Sequence, residues 1–426
     1  MPLRCILLAA RRRRLFASLT LLMLCFGPVP PLCAQEADSA AVRAAFDSTV
    51  AAHTYTAELQ EGQFVGPGAD WLVARGRESD HFLLGERHGT AEIPQVAASL
   101  YERLAASGYG PVALEIGPFA AQATTSALEA GGYPALERLI TRYESPAIPF
   151  LNRKEESKMA ARMAEAGATI WGVDYEFIFS LPMHLGALAE EAETDRERGA
   201  VRKVRSQMEN KWGGEAGPAI GAADPSAFWA LRAAFEPRGG EAALARIDAI
   251  LESNAIYAPY VREEGSFPES DRRRENLMKE QLISYVQERE KKRGAAPKVF
   301  HKNAHVGKLA PEDRHVTFGA FVAEWARARG EESFHVLADC NGGQIPRTGQ
   351  GGGGTCTAYL GGEDSPLAGH LQENRITVID LRPLRKHLGA GFLSPKLSRA
   401  IVSNDAYVAI PSVEHSKPLN AVPRSQ

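Results

Sequence analysis

The chain is poor in cysteine, in long apolar runs and in charge of one sign. Only five of its 426 residues are cysteine, and Cys5, Cys25 and Cys33 all lie in the first 34. Two cysteines in the remainder exclude a disulfide-dense miniature scaffold. The lack of any Cys-x-x-Cys pair argues against a thiolate zinc site. Past Gly27 no segment approaches membrane-spanning length. A formal net charge of −3 offers no basic excess for nucleic acid or anionic lipid. There is no Gly-x-Ser-x-Gly elbow, which removes the usual serine nucleophile. The glycine run Gly351–Gly354 lacks the Lys-Ser/Thr of a phosphate-binding loop. No internal repeat is present.

What is present begins with a leader. Arg4 and Arg11–Arg14 precede the apolar stretch Leu15–Gly27, and PVPPLCAQ follows. Basic, then apolar, then a small residue is the layout of a signal peptide, with cleavage expected after Ala34. The run is short for an anchor, and Pro28, Pro30 and Pro31 interrupt it. The expected product is an exported chain, periplasmic or secreted, starting at Gln35. Loss of five leader arginines takes the formal net charge from −3 to −8. Nucleic acid and membrane are therefore not expected partners of the mature chain; a small-molecule or peptide substrate is. In an oxidising compartment Cys340 and Cys356, flanking the glycine-rich stretch 341–356, are expected to pair. Closing such a loop stabilises by about 3 kcal/mol.

Five apolar runs end in an acid or a histidine: HFLLGERH (81–88), PVALEIG (111–117), TIWGVDYE (169–176), KVFHKNAH (298–305) and ESFHVLAD (332–339). Helix-like stretches separate most of them. That alternation predicts an α/β fold, with a central, mainly parallel sheet flanked by helices. RITVIDL and AYVAIPS supply further strands. Residues 37–60 read as helix, and His81–Glu86 as the first strand. From about 185 to 293 the strand signal disappears. This stretch reads as a helical cap inserted over the C-terminal ends of the strands, within one domain spanning 35–426.

Parallel strands place those ends along one edge, where open α/β folds hold ligands. Glu86, His88, Glu115, Asp174, Glu176, Asn303, His305 and Asp339 are thus expected to converge. In GERHGT, Glu86 and His88 are two apart and face one side if the strand continues. Such a pair suits a general base on water with a carboxylate orienting it. Glu115 sits in an apolar strand and needs a partner, whether Arg, His or metal. Of Asp174 and Glu176, Asp174 is preferred for the crevice. His305 and Asn303 share a face with His301, and His305 is nearest the edge. Lys302 and Lys308 add positive charge able to hold an anionic group. Arg274 and Met278 lie four apart on one helical face, so Arg274 can point into a pocket beside an apolar stripe.

In order, GERHGTAEIP, VALEIG, RRENLM and NAHVGK resemble the erythromycin esterase-like superfamily, with its ChaN and TraB/Tiki relatives, from His81 to about Asp339. The resemblance implies a hydrolase in which Glu86 and His88 are the catalytic pair and His305 a third catalytic group. Glu115, Arg274 and Asn303 match family positions and would then bind substrate, together with Asp174, which is expected there from its strand end. Two departures point to the superfamily rather than to its macrolide substrate. The Glu–His spacing is one residue shorter than in the esterases, and Lys302 stands where they place a histidine before the Asn. ChaN likeness implies haem or iron handling, and Tiki likeness a metal-dependent protease. Cofactor expectations are accordingly none, a divalent metal on Glu86, His88, Glu115 and His305, or haem.

Overall fold

A computed structural model describes residues 35–419, apart from 144–145, 212, 215–216, 219, 263–266, 310–315, 347–352, 357 and 363. The leader therefore lies outside the described residues, as does the middle of the glycine-rich loop. Helix Gln35–Ala52 opens the described chain. Its last turns carry Phe46 and Val50 into an apolar cluster with Ile379, Leu384 and Ile401.

One nine-stranded sheet follows. Its strands in chain order are β1 Thr54–Gln60, β2 Gln63–Val65, β3 His81–Gly85, β4 Tyr109–Leu114, β5 Thr169–Gly172, β6 Lys298–Lys302, β7 Ser333–Cys340, β8 Ile376–Asp380 and β9 Ala406–Ile410. Across the sheet they run β2-β1-β8-β9-β7-β3-β6-β4-β5. The six from β9 to β5 are mutually parallel. At the other edge β8 runs antiparallel to β9 and β1, and β2 folds back on β1. The sheet is thus mainly parallel, with an antiparallel margin.

That margin corrects the reading of residues 37–60 as helix. Helix ends at Ala52, and TYTAELQ is a strand paired with β8. Thr54, Tyr55 and Thr56 open it, β-branched and aromatic residues that favour a strand over a helix. His81–Gly85 is accordingly the third strand rather than the first.

Helices cover both faces. Helix α1, Glu92–Ala105, buries Ile93, Val96, Leu100 and Leu104 at helical spacing, with Pro94 in its first turn where no donor is lost. Helices α2, Pro118–Thr141, and α3, Lys154–Glu165, share that layer with the helix Pro67–Arg77. The main core lies between them and Phe82, Leu84, Val112 and Phe300 of the strands. The excursion holds α4 Leu181–Glu191, α5 Asp195–Lys211, α6 Pro225–Phe235 and α7 Glu241–Arg262. It has its own core, centred on Leu185, Phe228, Leu231, Phe235 and Ile247. Helix α8, Phe267–Arg293, differs from these. Its Met278, Leu282 and Val286 pack on Leu83, Ala113 and Val299, so it lines the second face of the sheet beside α9, Phe318–Arg329.

The segment after β9 runs back across the molecule. Glu414 accepts from the Ala91 N–H at 2.9 Å, and the Ser416 N–H donates to Gly89 at 2.9 Å. Lys417 then accepts from the Lys154 N–H, and the Leu419 N–H donates to Asn152, both at 2.8 Å. This strap joins the loop after β3 to the loop that leads into α3.

Among the described residues no helix is long and apolar enough to cross a membrane. Cys340 and Cys356 form a disulfide, with Cα atoms 6.2 Å apart and both residues buried.

Candidate active site

The polar residues that close the parallel strands meet at one edge, as the strand direction requires. Glu86 follows β3, Glu115 follows β4, Asp174 follows β5, and Asn303 with His305 follows β6. Gly89 turns the chain just after His88, with a φ of 85° that favours glycine. Gly117 is needed for a close approach: a Cβ there would lie 2.3 Å from the carboxyl carbon of Glu176.

Glu115 is the hub. Its Oε1 accepts from Arg274 Nη2 at 2.7 Å and lies 3.5 Å from His305 Nε2. Its Oε2 accepts from the Ala304 N–H at 2.9 Å and lies 3.6 Å from His88 Nε2. Burial alone would raise this carboxyl, but His88, His305 and Arg274 outweigh it and hold Glu115 well below the usual range. Arg274 also grips Asp174, through Nε at 3.1 Å and Nη2 at 2.5 Å, and lies over the Tyr175 ring at 4.9 Å. Burial leaves Asp174 raised despite that arginine.

On one side of the hub, His88 Nδ1 lies 3.2 Å from Glu86 Oε1, and the ring stacks on Phe150 at 4.4 Å between centroids. Lys302 Nζ reaches Glu86 Oε2 at 2.5 Å and both oxygens of Glu156 at 2.9–3.0 Å, with all three side chains buried. Burial pushes Glu86 up, but Lys302 and His88 bring it down to about 2. For His88, burial opposes the charged ring, yet Glu115 and Glu86 leave its pKa above 6.5.

On the other side, His305 Nδ1 meets Glu275 Oε1 at 2.6 Å, and Glu275 Oε2 accepts from the Phe318 N–H at 2.6 Å. Burial would lower His305, but Glu115 and Glu275 together push it up to about 10. At neutral pH His305 is therefore an imidazolium. Asn303 is fully buried, and its Oδ1 accepts from the His305 N–H at 2.7 Å, fixing the turn that presents the ring.

The structure thus brings together Glu86, His88, Glu115, Asp174, Arg274, Asn303 and His305. It sets others apart. Glu176 accepts from the Phe119 N–H at the start of α2 and pairs with buried His184 at 3.2 Å. Asp339 sits beside the cluster, bonded to Arg87 Nε at 2.7 Å. His301 points to the opposite face of the sheet, 3.1 Å from His81. Strand β6 ends at Lys302, so the parity shared with Asn303 and His305 ends there too. Neither lysine is available to an external anion: Lys302 is buried between two carboxylates, and Lys308 pairs with Asp405 at 2.6 Å.

Sequence reasoning did not reach Glu156, Glu275 or Phe150. Glu275 adjoins Arg274 and carried a signal by neighbourhood. Glu156, at the start of α3, and Phe150, in a loop, carried none.

Glu86, His88 and Glu115 offer ligand atoms within 4.8 Å of one another, a carboxylate–imidazole set compatible with a divalent ion.

Fold and cluster define a class: an α/β scaffold whose parallel strands deliver carboxylates and histidines to one edge, beside a helical insertion. No family model and no curated relative matches the chain. Among solved structures it is similar to a mutant of the erythromycin esterase EreC in its open conformation, with 15% identity, 86% of this chain and 99% of that one covered, and a TM-score of 0.57. It is also similar to a succinoglycan biosynthesis protein (13% identity, 88% and 99% covered, TM-score 0.57) and to a protein from Bacillus cereus (14%, 89% and 99%, TM-score 0.55). The fold of this chain is the erythromycin esterase fold.

Proposed function

We propose that the protein is an exported hydrolase that activates water against an ester or amide-like bond. The observation that carries this reading is the asymmetry of the two histidines around Glu115. His305 is held as an imidazolium between Glu115 and Glu275, while His88 lies on the other side of Glu115, stacked on Phe150 with Nδ1 beside Glu86. Two histidines held by different partners across one carboxylate are able to divide the roles of acid and base in one site. In its neutral form His88 is the base that takes a proton from water, with Glu86 orienting Nδ1–H. The imidazolium of His305 is the donor that stabilises the developing oxyanion or protonates the leaving group. Arg274 holds Glu115 and Asp174 in place. Its Nε and Nη2 are engaged by those carboxylates, so it shapes the site rather than gripping an anionic substrate directly.

The disulfide supports export, for which the leader would supply the route.

A divalent ion is the second reading, favoured by the ligand set of Glu86, His88 and Glu115. Such an ion would compete with Lys302 for Glu86, and with Arg274 and the Ala304 N–H for Glu115. The metal-free reading leaves those partners undisturbed. Haem rests on the sequence resemblance alone.

The test is a panel of esters and peptides hydrolysed with and without chelator, followed by His88→Ala. The expected outcome is chelator-resistant turnover that falls more than about 100-fold in the variant. The variant should keep the native circular dichroism spectrum and melt somewhat lower, since Glu86 and Glu115 lose a partner. A variant with wild-type turnover removes His88 as the base, and turnover abolished by chelator transfers the reading to the metal.

A further inference from the structure

Among the described residues only two other than glycine have a left-handed backbone, Glu61 at φ 52° and Phe150 at φ 58°. Glu61 has an ordinary reason. With Gly62 it forms the two-residue turn between β1 and β2, where paired positive φ values match the strand twist. Phe150 is the centre of a tighter turn, closed by the Leu151 N–H donating to the Pro149 carbonyl at 2.5 Å, a strained geometry for which a bulky side chain is a genuine outlier. Strain of this kind persists only where surrounding structure over-determines it, and it clusters at functional sites.

Both conditions are met. The Arg153 N–H donates to the Phe150 carbonyl at 2.9 Å, and Ser157 Oγ donates to the Leu151 carbonyl. The C-terminal strap holds the next residues, Asn152 and Lys154, and Arg153 Nη1 donates to the Ser416 carbonyl at 2.7 Å. The same strap binds Gly89 and Ala91, on the far side of His88. One segment thus fixes the spacing between the His88 loop and the Phe150 loop. The strained residue delivers its ring face onto the imidazole, 4.4 Å away and inclined by 28°. Phe150 is half-buried and packs against the main core, which limits the ring's freedom to withdraw.

We propose that Phe150 is a positioning residue for His88: its strained backbone presses an aromatic face on the imidazole and keeps Nδ1 at Glu86 and Nε2 at Glu115. The benzene ring donates and accepts nothing, so it confines the imidazole plane without competing for either nitrogen. Its face also tolerates the charge that His88 carries after accepting a proton. This rests on the reading of His88 as the base, and the experiment separates the two.

The full mature protein carries Phe150→Leu, Phe150→Tyr or Phe150→Gly. Histidine-selective NMR reads the ring-current displacement of the His88 protons, and steady-state kinetics are measured beside it. Phe150→Leu should lose the displacement and lower kcat by roughly 10–100-fold with KM held within about twofold, as expected when a reacting group is misplaced rather than removed. Phe150→Tyr keeps the ring and should retain both. Phe150→Gly relieves the left-handed strain, so it should melt no lower than Phe150→Leu although it removes more apolar surface. A leucine variant with wild-type kcat, a loss confined to KM, or unmoved His88 resonances would each overturn the proposal. If the wild type shows no hydrolysis, or His88→Ala remains active, the base assignment fails while the His88 resonances still decide the positioning role.

Discussion

His305 gives the sharpest link between the geometry and a measurement. Its ring lies between Glu275 at 2.6 Å and Glu115 at 3.5 Å, and its pKa is raised from 6.5 to about 10. An unfolded chain releases that proton near 6.5, whereas the folded protein keeps it to about 10. The folded state therefore gains stability that is complete below about pH 6.5 and is lost as pH rises through 10. A displacement of this size has a ceiling of about 5 kcal/mol at 1.36 kcal/mol per pH unit. The ring is 26% exposed, and Glu115 is shared with Arg274. These reduce the expectation to about 2–4 kcal/mol. Urea unfolding of the wild type and of His305→Gln, from about pH 6 to about pH 10.5, reads the difference directly. The gap should be largest at the acid end and should close steadily above about pH 6.5. A gap that stays flat across that range would falsify the placement of a charged histidine between two carboxylates. The same two histidines predict a bell-shaped kcat profile, rising as His88 loses its proton above 6.5 and falling near 10 as His305 loses its own.

Lys302→Met leaves Glu86 and Glu156 buried and facing each other without their shared cation. It should destabilise by about 3–5 kcal/mol in chemical denaturation, and a loss under about 1 kcal/mol would mean that the carboxylates are not held as described. Thiol titration of denatured, unreduced mature protein should find no free thiol, since Cys340 and Cys356 are its only cysteines. Two titratable thiols would contradict the bridge. Mass spectrometry of the exported chain should place its first residue near Gln35, and an intact Met1–Arg14 segment would contradict processing.

Much of this site was legible because its residues close apolar strands, where a parallel sheet leaves side chains few directions to take. Glu86, Glu115, Asp174 and His305 each interrupt or follow a buried run, and the sheet order does the rest. Lys302 was misjudged for a related reason. It is the last residue of β6, faces the α3 side of the sheet and meets Glu156, which nothing in β6 foretells. Glu156 and Glu275 come from helices, 146 and 30 residues from their partners Lys302 and His305, where an acid is one among many solvated charges until packing selects it. Phe150 depended on a backbone conformation that its residue type disfavours, so local propensity argued against it. The antiparallel margin was hidden because β1 pairs with β8, more than 300 residues later, and carries no clear apolar run.

The C-terminal strap has a consequence in time rather than in space. The chain is made from its N-terminus, and the contact between Glu92 and Glu414 spans 322 residues. The loop bearing His88 therefore exists, and β3 can pair with β6, long before the segment that fixes its distance from Phe150 has been synthesised. Until the segment after β9 arrives the polypeptide carries its reactive groups unclamped, and that segment finishes the site. Competence therefore waits on a segment made more than 300 residues after the His88 loop.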